Sequence, residues 1–543
     1  MEQSLKNTFI NPLCLPDYPR MRRMGGAGGS SPFGDIPDGP FGMGPMIAKS
    51  LPPSHQRFQK TFGYNIAREQ ENELRSSADP IAWYEDGIWY IFATGSACWS
   101  STDFLHWESH DTGAHYTAPA IEKFNGRYYL AGNSTDLYVA DRPEGPYTSL
   151  GGFTWQGKPL EPRNDDVAFF VDEDNKFYLF WGMGPGIYGA QLDPENPVCL
   201  LTEPKQLITF HPEHEFERMG EFNQDWSNGF PEGSWMIKRN GVYYLLYSVC
   251  GTEFDTYAMG CYKSTVSPLE GFELQQNNPV ARKVDGLCRG VGHASVARGP
   301  KETLWLFYTV LIGVDQDLER RIGCDPMGID ENGDLYVAAF HETPQFVPGV
   351  LEHPELGNGT NLDNITARYG SWGSSHAPGR NAVYGNDNNI MTWWQPADED
   401  NEPCFLVGLR ADYYAYAARV LFKEVGLLPD EGQNGENTAK EDTSGVNGPL
   451  NGNSKKNVGA FQYRIEVLNG DPYKDEWVTL IDRTANTEDF IFFYDVAERP
   501  VLCQAARLVI TSWPEGLRPG VIDFTLFGMS SAKPGAGEPV QAV

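Results

Sequence analysis

Long apolar runs are missing from this chain. No stretch is continuous enough to span a bilayer, so no membrane partner is expected. The first residues, MEQSLKNTFINPLCLPDYP, lack the basic and then apolar regions of a secretory signal, which predicts a cytoplasmic location. Basic residues are in deficit. Forty-two Lys and Arg face 73 Asp and Glu, a formal net charge of -31 that disfavours nucleic acid and acidic membrane surfaces and leaves a neutral ligand as the expected partner. Cysteines number nine, odd and scattered, with no CxxC pair; this argues against a zinc site and a disulfide framework and for buried, reduced thiols. Helical periodicity is lacking too: no stretch rivals the β signals described next.

What is present is a repeat. Five times in the first 350 residues a polar residue precedes a short apolar strand, a turn and an aromatic-rich strand: Asp79 before IAWYEDGIWYIFA, Thr117 before APAIEKFNGRYYLA, Asp166 before VAFFVDEDNKFYLFW, Glu232 before GSWMIKRNGVYYLLY, and His293 before ASVARGPKETLWLFY. Short β-rich runs around Asp/Asn/Gly turns read as hairpins, and hairpins repeated at regular spacing read as a propeller, here of five blades. The innermost strand of each blade lines the central channel. Asp79, Asp166, Glu232 and His293 are therefore expected in one pocket. Asp172 and Asp174, in VDEDNK, are assigned to a hairpin turn.

The expected organisation is an irregular, Gly/Pro-rich arm over 1–60, the propeller over 61–348, a linker over 349–359, a β-sandwich over 360–530 and a tail over 531–543. Residues 429–457 have almost no apolar side chains and are expected to form a disordered loop within the sandwich.

Carboxylates around a channel suit glycosidic-bond hydrolysis, in which one acid protonates the leaving oxygen and another carboxylate activates water. The segments SADPIAWYEDGIWYIF, DDVAFFVDEDNKFYLFWG, PEGSWMIKRNGVYYLLYS and GVGHASVARGPKETLWLFYT resemble, in order, the signature segments of glycoside hydrolase family 43. The resemblance implies an inverting enzyme with Asp79 as general base, Glu232 as general acid and Asp166 as a third carboxylate that raises the acid's pKa and orients it. Taken singly, Asp79 before Pro80 also reads as a turn residue, Asp166 beside Asp165 as a solvated pair, and Glu232 before Gly233 as a loop acid.

The same resemblance makes His293 an axial histidine that touches substrate or stands beside a water-coordinated structural calcium; a lone histidine is otherwise a core residue, and no other cofactor is expected. Arg321, of the pair Arg320 and Arg321, is taken as the substrate arginine, against a rim salt bridge. Trp99 and Trp226 are taken as sugar-stacking residues, against core packing. The C-terminal part resembles a discoidin-like, carbohydrate-binding-module-like jelly roll, in which Trp393 and Trp394 either stack on sugar or pack inside. The activity implied is exo-hydrolysis of a terminal pentofuranose, α-L-arabinofuranose first, from an oligosaccharide or glycan side chain. β-Xylosidase or β-galactosidase activity is the alternative within the family. A silent sugar-binding protein is the alternative outside it, disfavoured by the presence of all three carboxylates.

Overall fold

A computed structural model describes residues 4–22, 73–184, 186–312, 319–357, 359–367, 369–425, 459–468 and 476–540. The expected loop at 429–457 and the arm beyond Arg22 up to residue 60 lie outside the described residues.

Turn chemistry builds the repeat. In three of the five first hairpins the two turn residues are Asp86–Gly87, Asn125–Gly126 and Asn240–Gly241, and all six have positive φ. That is the geometry whose twist matches antiparallel strands, and Asn, Asp and Gly adopt it at least cost. Each hairpin then extends outward by further antiparallel strands. Blade 1 runs Ile81–Glu85, Ile88–Ala93, Ala97–Ser101 and Glu108–Ser109; blade 2 runs Ala120–Phe124, Arg127–Ala131, Leu137–Ala140 and Thr148–Gly151. Blade 3 holds Ala168–Val171, Phe177–Trp181 and Ile187–Asp193, the last pairing with Lys205–Ile208. Blade 4 holds Glu232–Arg239, Val242–Val249, Ala258–Ser264 and Glu273–Leu274, and blade 5 holds Arg289–Arg298, Leu304–Leu311, Arg320–Ile329 and Leu335–Val337.

The first strands of successive blades are neighbours all the way round, blade 5 returning to blade 1. The closure is hydrogen-bonded: Ala82 N donates to Ser295 Oγ at 3.1 Å, and Asp79 N to Thr309 Oγ1 at 3.0 Å. Apolar and aromatic side chains fill the spaces between blades, as face-to-face sheets require.

Beyond the propeller, Cys404–Val425, Phe492–Ser512 and Arg518–Ser530 are long strands that bulge and bend. The first half of Cys404–Val425 pairs with Ser371–Gly373 and Phe492–Ser512, the second half with Phe492–Ser512 and Arg518–Ser530. This is the C-terminal β-sandwich. Its Trp393 and Trp394 are both buried; Trp394 Nε1 donates to the Ser375 carbonyl at 2.9 Å, so neither presents a sugar-stacking face. The nine cysteines are free, six of them buried.

The N-terminal segment packs between the two bodies. Thr8–Phe9 pairs with Gln345–Phe346, and Leu13 N donates to the Ile322 carbonyl at 2.8 Å. Phe9, Leu13, Leu15 and Tyr18 enter the core shared by blades 1 and 5, whereas Leu5 and Ile10 join Tyr416, Phe527 and Val540 of the sandwich.

Candidate active site

Two residues ahead of a paired residue in the inner strand of each blade the backbone turns left-handed, before the strand begins in blades 1, 2 and 3 and within a bulge of it in blades 4 and 5. The positions are Asp79, Ala118, Asp166, Gly233 and His293, with φ of 55°, 44°, 49°, 54° and 38°. They precede Ile81, Ala120, Ala168, Trp235 and Ser295, each paired with the next strand of its own blade. Non-glycine residues in this conformation are strained by about 1–3 kcal/mol, and such strain gathers at functional sites. This fivefold position corrects the sequence phase: blade 2 contributes Ala118 rather than Thr117, and blade 4 contributes Gly233, so Glu232 sits one residue earlier than its counterparts.

Asp79, Asp166, His293 and Glu232 nevertheless converge. His293 Nδ1 lies 3.3 Å from Asp79 Oδ1 and 3.8 Å from Asp166 Oδ2. Gly233 N donates to Asp166 Oδ2 at 3.2 Å, which ties the residue after Glu232 to the third carboxylate. The absence of a side chain at Gly233 is required, because a Cβ there would stand 2.9 Å from the His293 ring. His293 is fixed in turn by its N–H to Ser248 Oγ at 2.7 Å.

The three carboxyls have different partners. Asp79 Oδ2 accepts from the Thr94 hydroxyl, and its Oδ1 accepts from Arg320 Nη1 at 3.1 Å. Burial pushes the Asp79 pKa up, but the Arg320 guanidinium, then His293 and Thr94, outweigh it and hold the carboxyl below its ordinary value. Glu232 has the opposite setting. Its Oε1 accepts from the Tyr257 hydroxyl at 2.6 Å, while burial, then the negative charge of Asp166, and further Asp79 and Glu253 push it well above the usual carboxylate range. Asp166 is raised by burial, against His293, the Asn133 amide at 3.0 Å and the Gly233 N–H. Between these two coupled acids the proton belongs on Glu232, because Asp166 accepts two N–H donors that favour its charged form.

The other expected site residues fare differently. Arg320, not Arg321, reaches the pocket, bonding Asp79 and also Thr252 Oγ1 at 3.3 Å. Adjacent strand residues point to opposite faces, and Arg321 turns away to donate to the Arg75 and Arg320 carbonyls. Trp99 is 1% exposed, packed against Tyr18 with Nε1 on the Pro16 carbonyl at 2.7 Å, so it belongs to the core and not to the channel. Trp226 is 61% exposed on the loop between blades 3 and 4, with the Arg218 guanidinium 3.4 Å from its ring centroid. That loop leans on the one preceding Tyr257, through Thr256 Oγ1 donating to the Gly220 carbonyl at 2.8 Å. Thr94, Asn133, Ser248, Thr252, Tyr257 and Thr309 were not legible as site residues, since they are spread over blades 1, 2, 4 and 5 and carry no local motif.

Around His293 the protein groups are already engaged with one another, which leaves a calcium ion there only coordination through water. His293 Nδ1 faces two carboxylates whose oxygens already serve Thr94, Arg320, Asn133 and Gly233, and among the described residues no group of three His, Cys, Asp or Glu is arranged to hold a metal ion. A cavity of about 600 Å³ beside Asp330 and Asp334 lies elsewhere, and Asp334 is consumed there by Lys263 at 2.5 Å and by the Gln276 and Asn277 N–H groups. Among the described residues no helix is long and apolar enough to cross a membrane.

Residues 74–335 match the family model described as glycosyl hydrolases family 43. A β-D-galactofuranosidase, xynD, of Aspergillus niger is 25% identical over 296 residues, which cover 48% of this chain and 81% of that relative. Xylosidase/arabinosidase 43A of Humicola insolens is 28% identical over 182 residues, 25% of this chain and 51% of that protein. A solved thermostable family-43 glycoside hydrolase is similar over 51% of this chain and 97% of its own, at 21% identity and a TM-score of 0.43.

Proposed function

We propose that this chain, whose propeller matches the model of glycosyl hydrolases family 43 over residues 74–335, is an inverting, exo-acting glycosidase that removes a terminal pentofuranose, α-L-arabinofuranose first, from an oligosaccharide or glycan side chain. The observation that carries the reading is the opposed setting of two carboxyls in one pocket: Asp79 held ionised beside Arg320, Glu232 held protonated beside Asp166. Such a split assigns base and acid.

In this reading Asp79 removes a proton from a water molecule whose oxygen attacks the anomeric carbon. The bond to the leaving oxygen breaks on the opposite face, and Glu232 delivers its proton there. Asp166 keeps Glu232 protonated until that moment. Relatives named for galactofuranose, xylose and arabinose are similar to parts of this chain, and pocket shape rather than the carboxylates would decide among such sugars.

The test is a panel of aryl α-L-arabinofuranoside, β-D-xyloside and β-D-galactofuranoside, with the first-released anomer read by proton NMR. Turnover fastest on the arabinofuranoside, with inversion, is expected. Retention of configuration would assign a different mechanism, and a faster xyloside or galactofuranoside would replace the sugar while leaving the machinery in place.

A further inference from the structure

Asp79 hangs from a short backbone run that starts at Arg75, and Arg75 is gripped by the second domain. Its guanidinium, on a residue 3% exposed, gives Nε to Glu424 Oε2 at 2.8 Å, and Nη2 to Glu424 Oε1 at 2.9 Å and to Asp489 Oδ1 at 2.6 Å. Both carboxylates belong to the sandwich. On its other side, the Arg75 carbonyl accepts from Arg321 Nη1, whose guanidinium stands 5.3 Å from the Tyr18 ring and 5.2 Å from that of Phe492, again a sandwich residue. The following residues are laced to the same strand of blade 5: Arg320 N donates to Ser76 Oγ at 3.0 Å, and Ser77 N to the Arg320 carbonyl at 3.2 Å. Arg320 then donates to Asp79. The carboxylate and its cationic partner thus hang from one framework, pinned to the sandwich by a buried ion triad.

We infer that Arg75, Glu424 and Asp489 are positioning residues, through which the second domain sets where Asp79 stands relative to Arg320 and to the water it activates. The inference rests on the reading of Asp79 as general base. A buried ion pair is a poor device for stability alone, because desolvation offsets most of its attraction. A bidentate fork does fix direction. Placement matters at this point of the molecule, since a shift of about 1 Å in a catalytic group costs about 100-fold in rate. The groups that face Asp79 are Arg320 and His293 of blade 5, Asp166 of blade 3, and Glu232 and Tyr257 of blade 4. Glu424 and Asp489 bond Arg75 and none of these groups, so changing the two removes no contact made inside the pocket itself.

The experiment uses the full chain and an activated aryl glycoside that the wild-type protein turns over, with and without sodium azide, alongside thermal unfolding. Azide attacks the anomeric carbon directly: the new bond is carbon to nitrogen, the bond to the aryl oxygen breaks, the aryl oxide leaves, and no base is needed. Glu424→Gln and Asp489→Asn are expected to lower kcat by about tenfold or more, with KM within about twofold of wild type, and azide is expected to restore part of the loss while leaving the wild type unstimulated. Arg75→Lys keeps the charge but loses the fork, and serves if the carboxylate variants fail to fold. A lower Tm with unchanged kcat, or a loss that azide does not relieve, would overturn the inference. A wild-type protein inert on every substrate, or an Asp79→Asn enzyme with undiminished turnover, would instead overturn the reading of Asp79 as base.

Discussion

Asp79, Asp166 and Glu232 carry the same functional group and differ in what surrounds it. On the proposed roles turnover needs Asp79 ionised and Glu232 protonated, so the acidic limb of the kcat/KM profile is expected to follow the lowered Asp79 and the alkaline limb the raised Glu232. Replacing Asp166 by Asn removes the charge that, after burial, does most to keep Glu232 protonated; the alkaline limb should move to lower pH, and an unmoved limb with full activity would make Asp166 a structural residue. Glu232→Gln should cost about 10²–10⁴-fold on a natural oligosaccharide yet spare glycosides of acidic phenols, which leave without protonation. Equal losses on both would take the acid's role from Glu232. The pattern of carboxylates was visible in the sequence; the choice between neighbours was not. Arg320 and Arg321 are one residue apart and face opposite ways, and Trp99, attractive as a stacking platform, is claimed by Tyr18 and Pro16 from more than 80 residues upstream, contacts that no local pattern reveals.

At the scale of the element, the hairpin repeat was legible because its turns are chemically marked: Asp-Gly and Asn-Gly enforce a positive φ that few other pairs tolerate. The phase of the repeat was harder to read. Asp79 and Ala118 each precede a proline, but blade 4 has no such marker, and only its bulge between Glu232 and Trp235 shows that Gly233 takes the left-handed position. That offset has a function. Glycine lets the His293 ring approach, and it moves Glu232 one place along the strand, where its carboxyl meets Tyr257 and not the N–H groups around Asp166. Gly233→Ala would set a Cβ 2.9 Å from the His293 ring in a backbone already at φ 54°. Kinetics on an aryl glycoside should show kcat down by about tenfold or more, because the ring must move against Asp79 and Asp166. Wild-type kcat in that variant would mean that the ring yields freely and does not help to place the two carboxylates.

Two domains joined by one linker are expected to move relative to each other unless the interface is large and apolar. Here a third piece makes the junction: within residues 4–18 the apolar side chains are shared out, Phe9, Leu13, Leu15 and Tyr18 to the propeller, Leu5 and Ile10 to the sandwich. Polar ties reinforce it. Arg419 of the sandwich bonds Asp523 at 2.9 Å and the Glu342 carbonyl at 3.0 Å, and Asn11 Nδ2 reaches the Cys324 carbonyl and Asp325 Oδ2, both at 3.0 Å. The sequence marks this segment only as irregular, since its partners lie from some 80 to more than 400 residues away and it has no period of its own. Because each body's core contains part of the other's strap, neither can open without exposing apolar surface on both. Calorimetry of the full chain should therefore show a single transition with calorimetric and van't Hoff enthalpies equal. Replacing Leu5 and Ile10 by Ala removes side chains from the sandwich cluster alone, yet it should lower the Tm of that single transition and not release a separate sandwich peak. Two resolved transitions in the unaltered chain would show that the strap lies against both bodies without coupling them, and the Arg75 triad would then be the contact left to hold the sandwich against the site.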